Sequence, residues 1–154
     1  MSLNTECNYW ALVEPHWYRV SIYDGPDIFL REFKETPEPS RHLLAAHWCQ
    51  SEVRNGGFDQ FFFNNTGVLA PEAVEGFQTI GLHGMASVVQ RAMDLLGPEY
   101  PRVRETRNEI LDALQEASNS APFDSLDQEF FKLVEKENGG WDEAADKYAA
   151  TRGG

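Results

Sequence analysis

Four histidines, two cysteines and 25 carboxylates are the groups in this 154-residue chain that could move a proton, hold a metal ion or attack an electrophile. Their spacing assembles no catalytic set. There is no HExxH pair, phosphate-cradling glycine loop, GxGxxG fingerprint or GxSxG elbow. His42 and His47 stand five residues apart, the wrong interval for one face of a helix. His47 lies beside Trp48 and reads as a core histidine, while His16 and His83 have no evident ligand set around them. Cys7 and Cys49 lack CxxC spacing and read as free thiols of a reducing compartment, with Cys49 buried and inert in a helix. No DxDxDG calcium loop is present. The expectation is no catalytic residue, no metal site and no cofactor, with a hydrolase assembled from distant residues left open.

The carboxylates carry information as charge. Glu105, Glu109, Asp112 and Glu116 recur at i, i+4, i+7 and i+11. At about 100° per residue they form one stripe along a helix, and the span from 105 to 116 is roughly 16 Å. That is about one charge per 4–5 Å, close to the roughly 3.4 Å between phosphates along one DNA strand. Surface helices usually mix lysine with glutamate, because like charges four apart cost about 0.2–0.5 kcal/mol per pair. This stripe is unmixed; Arg102, Arg104 and Arg107 sit off it, and Val103, Ile110, Leu114 and Ala117 are expected on the opposite side. From 105 to 146 twelve acids face only Arg107, Lys132 and Lys136, so the net charge of -12 is concentrated in the last third. Such a surface repels nucleic acid and anionic membrane and attracts a basic partner.

Positioning these groups falls to helices. Ser40 reads as an N-cap for a helix that stops at Gly56, with Leu43, Leu44, His47, Trp48 and Ser51 at helical spacing. Pro71 and Gly81 bracket a second helix, with Val74 and Phe77 inward. Met85, Val88, Val89, Ala92, Leu95 and Leu96 mark a third, ended by Gly97-Pro98. A long helix starts near Pro101 and carries the stripe. Leu126, Phe130, Leu133 and Val134 face inward on the next, and 141–150 closes the chain. Between residues 8 and 36, "VSIYDG" could be a short strand, whereas Ile28, Phe29 and Phe33 after Pro26 argue for a helix. No regular series of alternating strands occurs. The reading is one all-α, irregular, acidic domain spanning 1–154, with about six to eight helices. No stretch is apolar for the roughly 20 residues of a membrane span, and no secretion signal precedes the first aromatics, so a cytosolic protein is expected.

"EVRNGGFD" at 52–59 recurs as "EKENGGWD" at 135–142. Each copy follows a helix and precedes another, so a glycine at Gly56 or Gly57 should take positive φ while the aromatic anchors the returning chain. Phe58, Phe61 and Phe62 share one face and read as core; Phe63 points elsewhere. Gln60, Asn64 and Asn65 must find partners if buried, and the loose backbone of the flanking turns is the expected one.

The run "SEVRNGGFDQFFFNNTGVLAPEAVEGFQTIG", with its Asn-Gly-Gly-Phe-x-Gln-Phe-Phe-x-Asn core, resembles a family of small bacterial proteins. That family was once known only as a domain of unknown function and is named for a member that acts as a DNA mimic. The likeness extends through "YWALVEPHWYRVSIYDGP", "RHLLAAHWCQSEV" and "YPRVRETR", covering about residues 8–110. The shared positions Asn55, Gly56, Gly57, Phe58, Gln60, Phe61, Phe62 and Asn64 look architectural. The resemblance implies an α-helical fold and a decoy that occupies a DNA-binding protein. The expectation is therefore a non-enzymatic acidic protein whose Glu105, Glu109, Asp112 and Glu116 contact a basic DNA-binding protein, with no direct binding of nucleic acid or membrane. An immunity-type inhibitor of a basic nuclease toxin is the alternative, and an acidic helical protein of unrelated role, enzymes included, is a third. A homodimer is compatible with all three.

Overall fold

The computed structural model describes residues 8–118 and 121–152. Among these residues every regular element is helical. α1 is Trp10–Val13, α2 Pro26–Glu35, α3 Ser40–Phe63, α4 Ala70–Ile80, α5 His83–Asp94, α6 Arg104–Ser118, α7 Asp124–Lys136 and α8 Trp141–Arg152. Short 3-10 turns fill Glu14–His16, Asn65–Leu69 and Glu137–Gly139. The 18–24 segment is irregular, so "VSIYDG" forms no strand. No described helix is long and apolar enough to cross a membrane.

α3 is the central post. It packs against α1, α4, α6 and α7, while α5 joins α4 to α7. Its first half presents Leu43, Leu44, Ala45, Ala46, Cys49 and Val53, all fully buried. Burial pushes the Cys49 thiol far above its ordinary pKa, in agreement with an inert core cysteine; Cys7 lies outside the described residues.

The helix breaks at the paired glycines. Gly56 has φ -152° and ψ 19°, and Gly57 has φ 77° and ψ 179°, after which Phe58–Phe63 continue in a new direction. Gly57 holds the positive φ that the corner requires, a region costly for any residue with a Cβ. In the second copy, Asn138, Gly139 and Gly140 all have positive φ, so the matching strings solve their corners differently. Both deliver an aromatic to the core. Phe58 meets Phe130 edge-on at 5.5 Å, Phe130 meets Phe77 at 6.1 Å, and Phe77 meets Trp141 at 5.9 Å. This edge-to-face ladder joins the two corners through the middle of the protein.

Three sequence expectations shift. Ser40 opens α3 but makes no capping bond; Pro39 stands at the cap position. Leu95 is 42% exposed because α5 ends at Asp94, and the chain turns to bury Leu96 instead. α6 begins at Arg104, not near Pro101, because the carbonyls of Pro101 and Arg102 are turned toward the Arg107 side chain.

Candidate partner-binding surface

Arg107 fixes the helix that carries the acidic stripe. It is fully buried, which is rare for arginine without a carboxylate partner. Its Nε donates to the Phe62 carbonyl at 2.6 Å, Nη2 to Asn64 at 2.8 Å, and Nη1 to Arg102 at 2.8 Å. One guanidinium thus closes the carbonyl end of α3 and the approach to α6. Gly67 makes room for it, since a Cβ there would stand 2.5 Å from Nε. Burial pulls the Arg107 pKa below its ordinary value, yet a guanidinium stays charged. Leu111 is buried one turn further along the same face. Tyr100 adds a hydroxyl bond to the Gly67 carbonyl at 2.6 Å.

With that face anchored, Glu105, Glu109, Asp112 and Glu116 are all exposed on α6. None forms an ion pair among the described residues. The opposite side is narrower than its sequence implies. Ile110 and Leu114 pack on the core, but Val103 lies before the helix and is 46% exposed, and Ala117 is exposed as the helix runs past its support.

Acids elsewhere do different work. Asp127 of α7 accepts the Phe58 N–H at 2.8 Å and so caps the second half of α3 from another helix. Burial raises its pKa, opposed by the Phe58 hydrogen bond and reinforced by Asp124 and Asp59. Glu137 caps α5, accepting from Gly84 N–H at 2.6 Å and Met85 N–H at 2.9 Å, while Asn138 donates to the Gly81 carbonyl at the end of α4. Asp146 accepts the Tyr9 N–H at 2.7 Å. Glu129 pairs with Arg91 at 2.6 Å, and Glu72 with Arg102 at 2.9 Å. Of the twelve acids between 105 and 146, Asp127, Glu129, Glu137 and Asp146 therefore hold the fold together.

The rings at the start of the aromatic–amide motif are buried, and its amides have one partner the sequence reading missed. Phe58, Phe61 and Phe62 are fully buried, and Phe63 is 51% exposed beneath the Arg104 guanidinium, 5.0 Å from its ring centre. Among the described residues, Asn64 and Gln60 bond a carboxylate where turn backbone was expected. Asn64 donates to Glu52 Oε1 at 2.9 Å, and Gln60 reaches the same oxygen at 3.4 Å. Glu52, three residues before the motif, was the available signal: half-buried amides need an acceptor, and it is the carboxylate one helical turn before Gly56. Asn55 is exposed, on the rim of a shallow depression with Gln50, Ser51, Glu52 and Arg54.

His47 is half-buried and hydrogen-bonded. Trp141 Nε1 donates to the Tyr9 hydroxyl at 3.2 Å, and the same hydroxyl shares a hydrogen bond with His47 Nδ1 at 2.8 Å. The Tyr9 hydroxyl thereby links the Trp141 indole to the His47 imidazole. Trp10 and Trp17 flank the ring, and burial lowers its pKa. His42 is buried and points elsewhere on α3, and the described residues contain no group of metal-ligating side chains.

The family description DMP19-like protein matches residues 34–152. The chain belongs to this DNA-mimic family. The matched segment takes in α3 to α8, so the DMP19-like region includes the acidic stripe, both glycine corners and the buried Arg107. The likeness visible in the sequence motifs starts earlier and stops near residue 110; the family match continues through α6, α7 and α8. No curated protein and no solved structure matches the chain.

Proposed function

We propose that this DMP19-like chain is a non-enzymatic DNA mimic that presents the α6 carboxylates to a basic DNA-binding protein. One observation carries the reading. Glu105, Glu109, Asp112 and Glu116 stand exposed on one helix and form no ion pair among the described residues, whereas Asp127 and Glu137 cap helices and Glu72 and Glu129 pair with arginines. Such a row supplies phosphate-like charge at roughly phosphate-like spacing. The buried Arg107 and Leu111 hold it in place, so little ordering remains to be done on binding. Family membership supports the same class of partner.

The experiment is capture of proteins from native cell extract on the immobilised chain, eluted with salt and, separately, with duplex DNA. The parent is compared with Glu105→Gln, Glu109→Gln, Asp112→Asn and Glu116→Gln combined. A DNA-binding protein should be retained, displaced by duplex DNA, and released at lower salt by the quadruple variant. Equal retention by both forms at every salt concentration, with both folded, would sink the assignment to α6. Retention of a nuclease whose activity is abolished on binding would point instead to an immunity-type inhibitor.

A further inference from the structure

Six large apolar side chains are exposed among the described residues, and three of them, Tyr23, Phe63 and Val103, gather at the start of α6. Tyr23, 69% exposed, and Val103 line a cleft of about 360 Å³ between the start of α2 and the start of α6. Arg104 lines the same cleft and ties Phe63 to the group. Its Nε donates to the Phe63 carbonyl at 2.7 Å, and its guanidinium lies 5.0 Å over the ring. The three side chains come from the loop before α2, the end of α3 and the residue before α6, so no single amphipathic helix accounts for their meeting. Exposed apolar residues scattered singly are ordinary, whereas a contiguous group marks a contact surface.

Most polar groups around the patch already have partners. Arg102 is engaged with Glu72 and the Val68 carbonyl, and Arg107 is buried among carbonyls. Covering the patch therefore strands few polar groups, the condition under which apolar burial adds affinity. Two groups at the rim remain open. The terminal nitrogens of Arg104 have no partner among the described residues, and Glu105, which lines the cleft, forms no ion pair among them. Glu105 is also the first carboxylate of the α6 row, which continues for roughly 16 Å through Glu109, Asp112 and Glu116. Patch and row thus meet at Glu105 and form one surface, apolar at one end and anionic along the rest.

Resting on the DNA-mimic reading above, we propose that the basic partner inserts an apolar side chain between Tyr23 and Val103, beside Phe63, while its cations lie along Glu109, Asp112 and Glu116. Charge complementarity sets this orientation. Arg104 repels a cation at the cleft, and the carboxylates further along α6 attract one. A second copy of this chain is a poor occupant, because it brings a net charge of -12 to the same surface. The two ends act on different steps of binding. Carboxylates speed encounter and make it salt-dependent, whereas apolar contact slows dissociation.

The test uses the protein that the immobilised parent chain retains from native extract and releases to duplex DNA. Its association and dissociation rates are measured against the parent and three variants at two salt concentrations. Tyr23→Ser combined with Phe63→Ser should dissociate about tenfold or more faster, with association rate and salt dependence unchanged. The quadruple amide variant of α6 should instead associate more slowly, with a flatter salt dependence. Leu95→Ser, at an exposed apolar position outside the patch, should match the parent. Equal dissociation from the parent and a folded Tyr23→Ser, Phe63→Ser variant would overturn this inference and leave the α6 reading standing. If the parent retains no DNA-displaceable protein, that reading falls and this inference with it. A parent that dimerises in light scattering, beside a double variant that does not, would give the patch to a second copy and overturn the inference too.

Discussion

At the scale of single residues, Gly57 and Asp127 form one device. Gly57 takes φ 77°, and a Cβ there would sit 2.6 Å from Asp127 Oδ2. Gly57→Ala therefore meets both backbone strain and a displaced cap, and should cost about 1–3 kcal/mol in a denaturant melt. Gly56→Ala keeps a negative φ and pushes only on the flexible Gln60 side chain, so it should cost less. Asp127 gives a pH signature. Its folded pKa is raised, chiefly by burial, so the unfolded chain releases this proton first as pH rises. Its contribution is then most favourable below its unfolded pKa and is lost as pH rises through the folded value. Asp127→Asn keeps an oxygen for the Phe58 N–H and removes the titration. Relative to the parent, that variant should gain stability between acid and neutral pH, whereas Asp127→Ala, which loses the cap, should be about 0.5–2 kcal/mol less stable at neutral pH. Urea melts at several pH values check both.

Among elements, α6 depends on one side chain. Its outward face is acidic, and Arg107 and Leu111 are its buried residues among those described. Arg107→Met would fill similar space and abandon the carbonyls of Phe62, Asn64 and Arg102. Buried carbonyls left without donors cost about 1–3 kcal/mol each, and relaxation will recover part of that, so a net loss of about 3 kcal/mol is expected by chemical denaturation. Arg107→Lys should not restore the parent, because an ammonium cannot reproduce the planar fork. Hydrogen exchange should show α6 loosened ahead of α4 and α5 in both variants. The acidic stripe of α6 is thus held in place by a fully buried cation.

For the whole molecule the charge is one-sided. Removing the four α6 charges cuts self-repulsion in a chain of net -12. The quadruple amide variant should melt higher than the parent at low salt, by a few degrees at most, and the gap should close as salt screens the parent. Unequal melts that persist at high salt would show that one of these carboxylates also holds the fold. The first and last described helices are joined by neutral contacts as well: Tyr9, just before α1, bonds His47 of α3 and Trp141 of α8.

The sequence by itself determined the helical class, both glycine corners, the buried Phe58, Phe61 and Phe62, and the exposed alignment of Glu105, Glu109, Asp112 and Glu116. These follow from local rules: a 3.6-residue period, a backbone conformation cheap only for glycine, and the aversion of rings for water. Tertiary structure decided which charges matter to folding. Asp127 lies 69 residues from the N–H it caps, and Glu137 lies 53 from Gly84. Arg107, read in the sequence only as a cation off the stripe, is the buried residue that anchors its helix. Glu52, Gln60 and Asn64 share a bond only because α3 bends. Such pairings join groups distant along the chain, and periodicity records which face a residue occupies but not what stands opposite it.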